Sequence, residues 1–197
     1  MPTSHTRKKI IDTARQLFAR HSVDSTTVID IATAAGVSRR TMYAYFRSKE
    51  EVFLAVVGTE LDILSDIMKR VAARHLPPRE KVMQLVYTHL NAVRGVVSRN
   101  GNLRAYFFRD SWAVEKARRH FDADTIGLYR SALAEGVDTG VFHIDDLDLT
   151  ATILHHSVKG LEAPYIRGHI GGHLDQETRK RYVERLVLGA LTNERDI

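Results

Sequence analysis

Arg39, Arg40, Thr41 and Tyr43 bring two guanidinium forks, a hydroxyl and a phenol together within five residues. An arginine fork can form paired hydrogen bonds to O6 and N7 of guanine, and threonine or tyrosine hydroxyls can reach phosphates or base edges. The competing reading is a pair of solvated charges beside aromatic rings that cover a core. A second set comprises Phe107, Phe108 and Trp112, next to Tyr106, with Tyr129, His155, His156 and Tyr165 on neighbouring helices. It offers apolar walls and a few polar handles for a small molecule, or else ordinary core packing. Arg104 and Arg109 can neutralise an anionic ligand or serve as surface charges. Ten histidines raise the question of a metal, above all His155-His156 and the pair His169 and His173. Gly171 and Gly172 break the helix that ligation at i and i+4 requires, and adjacent histidines point to different helix faces. No metal site and no cofactor is expected.

The elements that must position these side chains read as helices throughout. From Lys8 to His21, Ile10, Ile11, Ala14, Leu17 and Phe18 recur at three- and four-residue spacing and form one apolar stripe. Thr27 can cap a second short helix with Ile31, Ala32 and Ala35 inward, and Gly36 can close it in the left-handed conformation. Ser38 can cap a third, to about Phe46, with Met42 and Phe46 on one side and Arg40, Tyr43, Ala44 and Arg47 on the other. This projection puts Tyr45 nearer the core side. Ser48 and Glu51 form an S-x-x-E capping box that opens a longer fourth helix. Beyond the break at Pro77 and Pro78, helices are expected at about 79–98, 102–109, 112–136, 146–167 and 175–193, separated by Gly101, Gly136 with Gly140, and the Gly168–Gly172 stretch. The fold class is all-α, with about nine helices.

Charge is distributed unevenly along this frame. Residues 1–49 hold nine Lys or Arg against three acids, a net of +6, so the remainder of this +5 chain has a net of −1. A polyanion attracts such a segment through counterion release, which makes nucleic acid the leading partner and an anionic membrane surface the second. No apolar stretch approaches the roughly 18 residues of a membrane helix, and the polar, basic start has no signal-peptide core. With no cysteine, disulfides and thiolate chemistry are excluded. A cytoplasmic location without membrane insertion fits these features. No paired acids, nucleophile beside a base or phosphate-binding glycine loop assembles, so a non-enzyme is expected.

Two short helices around a glycine turn, the second exposing arginines and a tyrosine, have the form of a helix-turn-helix that enters a major groove. The run Thr27-Val28-Ile29-Asp30-Ile31-Ala32 through Gly36-Val37-Ser38, then Thr41-Met42-Tyr43-Ala44-Tyr45-Phe46 and Ser48-Lys49-Glu50-Glu51, resembles the DNA-binding domain of TetR-type regulators over residues 8–55. That resemblance implies a domain at 1–48 with a DNA-facing set of Thr27, Ser38, Arg39, Arg40, Thr41, Tyr43, Tyr45 and Lys49. Thr27 would bond a phosphate, Arg39, Arg40 and Thr41 would face base edges, and Tyr43, Lys49 and Tyr45 would hold the backbone. It further implies an effector-binding and dimerisation domain at 49–197, a homodimer through the last two long helices, and repression relieved by a small-molecule effector. One short recognition helix reads few base pairs, so two copies on a palindromic double-stranded operator are also expected on geometric grounds. The effector pocket would draw on Phe107, Phe108, Trp112, Tyr129, His155 and Tyr165. The alternative is a TetR-like architectural or replication-linked DNA binder without an effector.

Overall fold

The computed structural model describes residues 4–99, 112–170 and 173–192. Among them there are eight helices and no strand: α1 (Ser4–His21), α2 (Val28–Ala34), α3 (Arg39–Tyr45), α4 (Lys49–Ala72), α5 (Pro78–Arg99), α6 (Trp112–Asp138), α7 (Leu147–Ile166) and α8 (Gln176–Gly189). The helix expected at 102–109 lies outside the described residues. By contact density the chain divides into two compact units, one from residues 1–63 and 95–119, the other from 64–94 and 120–197.

In the first unit, α1–α3 close around Ile10, Ala14, Phe18, Ile31, Ala35 and Met42, all fully buried. Phe53 of α4 meets Phe18 edge-on, with ring centroids 6.4 Å apart. α1 begins about one turn before the apolar stripe does, because its first turn is polar and exposed and leaves no hydrophobic signal.

The second unit has its own core, centred on Met68, Leu85, Val86, Tyr129, Leu133, Phe142, Ala151 and Val158. Pro78 opens α5, where the missing N–H costs nothing. Gly136, expected as a break, lies inside α6. The turn is made by Gly140, at φ +70°, and the Gly136 carbonyl accepts the N–H groups of Val141 and Phe142 at 2.8 and 3.0 Å. The chain thereby folds the Phe142 ring back onto the helix at Gly136. A glycine is needed there for closeness rather than for flexibility.

Candidate nucleic-acid interface and C-terminal cleft

Each end of the two short helices is held by local hydrogen bonds. The Thr27 hydroxyl oxygen accepts the Asp30 N–H at 3.1 Å while the Asp30 carboxylate accepts the Thr27 N–H at 2.8 Å, a reciprocal box that starts α2. The Thr27 hydroxyl also donates to that carboxylate at 2.7 Å. Hydrogen bonds from the Thr27 side chain and then its backbone hold the Asp30 carboxyl below the usual range. Gly36, at φ +62°, ends α2. The N–H of Val37 reaches the Ala32 carbonyl at 3.0 Å and that of Gly36 reaches Thr33 at 3.1 Å, the paired bonds of a Schellman closure. Ser38 then caps α3 by accepting the Thr41 N–H at 3.0 Å, with its hydroxyl 2.8 Å from that of Thr41.

These caps fix the face that α3 presents. Met42 and the adjoining Phe46 are 0% and 1% exposed, whereas Arg39 and Arg40 are exposed and Tyr43 is 43% exposed. The Arg39 guanidinium lies over the Tyr43 ring, 5.8 Å from its centroid, so cation and ring form one surface. Thr41, Tyr45 and Lys49 are half-buried. Lys49 Nζ donates to the Asp24 carbonyl at 3.1 Å, which ties the start of α4 to the loop before α2. The Ser48 hydroxyl accepts the Glu51 N–H at 3.1 Å as a cap should, but the Glu51 carboxylate takes the Arg47 N–H at 2.6 Å, one residue before the box position. The result is a compact surface of two arginines, a tyrosine and hydroxyls above an apolar underside. Such a surface suits a groove whose walls are phosphate and whose floor is base edges.

Of the residues expected to line an effector pocket, the three described side chains divide between the core and a cleft. Phe107 and Phe108 lie outside the described residues, as does the side chain of Trp112. Tyr129 and His155 are fully buried in the second unit's core. Burial, with Glu162 adding to it, pushes the Tyr129 phenol well above its ordinary range. Around them is a polar cluster that the sequence reading missed. His89 Nε2 lies 2.8 Å from Glu162 Oε1, both side chains almost wholly buried. The His89 ring is 6.0 Å from that of His155, whose Nε2 is 3.3 Å from Asp122, and Lys159 donates to Asp122 at 3.0 Å. Glu162 falls on the same stripe as Leu154 and Val158, four residues apart. An acid at that position on an apolar stripe signals a buried partner elsewhere.

Tyr165 lies instead on a separate cleft of about 340 Å³, formed by the α5 stripe Tyr87, Leu90, Asn91 and Arg94 with residues of α7 and α8. Its hydroxyl donates to Asn91 at 2.8 Å. Among the described residues there is no cluster of three or more potential metal ligands, and no helix is long and apolar enough to cross a membrane.

Known proteins supply the context for this geometry. Residues 10–56 match the family described as "Bacterial regulatory proteins, tetR family". The chain is 24% identical over 168 residues to the uncharacterised helix-turn-helix transcriptional regulator YerO of Bacillus subtilis, covering 77% of this chain but only 54% of YerO. It is 25% identical to the transcriptional repressor KstR2 of Mycolicibacterium smegmatis over 94% of this chain and 90% of that one. A crystal structure of a TetR/AcrR-family regulator from Thermobifida fusca superposes with a TM-score of 0.71 at 24% identity, covering 95% of this chain and 98% of that one.

Proposed function

This chain belongs to the tetR family of bacterial regulatory proteins, and on that premise we propose that it is a homodimeric repressor released from a palindromic operator by a small-molecule effector. It is a DNA-binding transcriptional regulator, and its relatives are named as regulators rather than enzymes. The observation that carries the proposed reading is the two-sided third helix, with Arg39, Arg40 and Tyr43 outward over a fully buried Met42. Arg39, Arg40 and Thr41 read base edges. Ser38, Tyr43, Tyr45 and Lys49 hold the phosphate backbone, and Thr27 sets the start of α2 while its exposed position offers a further phosphate contact. The working division is a DNA-reading segment at 1–48 and an effector and dimer segment at 49–197, in a cytoplasmic protein.

The dimer forms through α7 and α8. Leu149 and Ile153 on α7, and Tyr182 and Leu186 on α8, are 55–75% exposed, and in each helix the pair is four residues apart on one face. A second copy covers such stripes by the packing that joins helices in bundles. The cleft beside Tyr165 has a volume within the range of small-molecule sites, which favours the effector-responsive reading over an architectural DNA binder. Effector binding then shifts the dimer toward a spacing of recognition helices that no longer fits consecutive grooves.

Selection of bound duplexes from a random DNA pool tests this reading. The expected product is a palindrome whose half-sites are separated by about one helical turn, roughly 10 base pairs, or a multiple of it. Enrichment of a single unrepeated half-site would overturn the dimeric part, and no enrichment would overturn the operator part.

A further inference from the structure

We infer that the cleft between α5, α7 and α8 takes an anionic amphiphile, a ligand with one acidic head group on an apolar body; this rests on the reading of the C-terminal segment as effector-binding and names the chemistry of its ligand. The apolar part of the wall is Leu90, Leu161, Ile170 and Val183. Two tyrosines complete it, and both are fixed by their own hydroxyls: Tyr165 donates to Asn91, and Tyr87 donates to the Lys180 carbonyl at 3.0 Å. Their rings are therefore held as walls rather than left to collapse into the space. Around this lining stand three cations, Arg94, Arg179 and Lys180, and among the described residues no lining side chain is acidic.

The balance of nearby charge decides the sign of the ligand. Lys180 has Glu184 at 3.8 Å on its own helix. Burial, followed by the charges of Glu184 and others including Glu177, pushes the Tyr87 phenol up to about 12, so α8 carries acids close to that wall. Neither Arg94 nor Arg179 has a carboxylate within ion-pair distance among the described residues. Arg94 lies instead over the Tyr165 ring, 5.4 Å from its centroid, which holds the guanidinium beside the cleft. Two permanently charged forks with no described carboxylate in ion-pair reach, next to an apolar wall, fit a carboxylate or phosphate better than a neutral or cationic group. A purely apolar ligand would leave these cations to water and gain nothing from them.

Titration calorimetry of the full chain with octanoate, octyl phosphate and octanol tests the inference, since the three share one tail and differ in the head. Octanoate or octyl phosphate is expected to bind at least tenfold more tightly than octanol, and the better of the two identifies the head group. The double substitution Arg94→Gln with Arg179→Gln is expected to weaken the anion about tenfold or more while leaving octanol unchanged. Equal binding of octanol and the anions, unchanged binding by the double variant, or no binding of any probe would overturn it. Operator release, followed separately by fluorescence anisotropy, keeps the two readings apart. Anion binding without release sustains the cleft's chemistry and removes the effector role. Release by a ligand that the double variant still binds sustains an effector and removes this cleft as its site.

Discussion

Glu162→Ala is expected to lower the unfolding free energy by up to about 3 kcal/mol, because it removes the hydrogen-bond partner of a wholly buried imidazole nitrogen and leaves that polar atom unpaired. His89 Nε2 then loses the Glu162 Oε1 that lies 2.8 Å away, and neither side chain has solvent to turn to. The intact bond adds only about 1 kcal/mol net, because folding forms it in exchange for bonds to water, but leaving its buried partner unmatched costs the full desolvation penalty. Glu162→Gln keeps an acceptor in place and is expected to lose markedly less. Denaturant titration at fixed protein concentration measures both, the concentration being held because the proposed dimer would make stability depend on it. A loss below about 1 kcal/mol for the alanine variant, the ordinary worth of a hydrogen bond, would show that the pair is not buried as described.

Gly136→Ala is expected to be comparably damaging, at about 3 kcal/mol, the upper end of the usual penalty for overpacking. Alanine is otherwise the better helix former by about 1 kcal/mol, so propensity alone predicts a gain. The added methyl would stand 1.9 Å from Cδ2 and 2.4 Å from Cε2 of the Phe142 ring. Phe142 is itself buried in the second unit's core, so the ring cannot swing into solvent. Thermal unfolding decides between the two effects: a raised midpoint would mean that the ring does not pack on the helix at Gly136. Restoration of stability by pairing Gly136→Ala with Phe142→Leu would locate the clash at that contact.

How legible each part was depends on how local its physics is. The caps at Thr27 and Ser38 and the closure at Gly36 involve hydrogen bonds spanning three to five residues, and the sequence pattern anticipates each of them. The division of α3 into an apolar underside and a polar face follows from its 100° periodicity in the same way, and Tyr45 is half-buried as its angular position suggests. In sequence, a glycine that ends a helix and one that admits a ring, as Gly136 does, look alike until the ring, six residues on, is placed. The His89–Glu162 pair spans 73 residues, beyond any local pattern, although the acid on the apolar stripe of α7 carried a readable trace. Tyr129, His155 and Tyr165 illustrate the same limit. All three occupy helices, yet only tertiary packing decides that the first two enter the core while the third faces a cleft.

If the exposed face of α3 reads DNA as proposed, Arg40→Ala weakens binding to the selected operator, as measured across a range of salt concentrations. Arg40 is exposed on a helix whose buried side is elsewhere, so its truncation leaves the fold intact and isolates recognition. A base-reading arginine predicts a loss of about 1–3 kcal/mol, or roughly tenfold to a hundredfold, with specificity relaxed at one position in each half-site. Unchanged affinity, specificity and salt dependence would contradict the account, for the recognition surface would then lie on another face of the molecule.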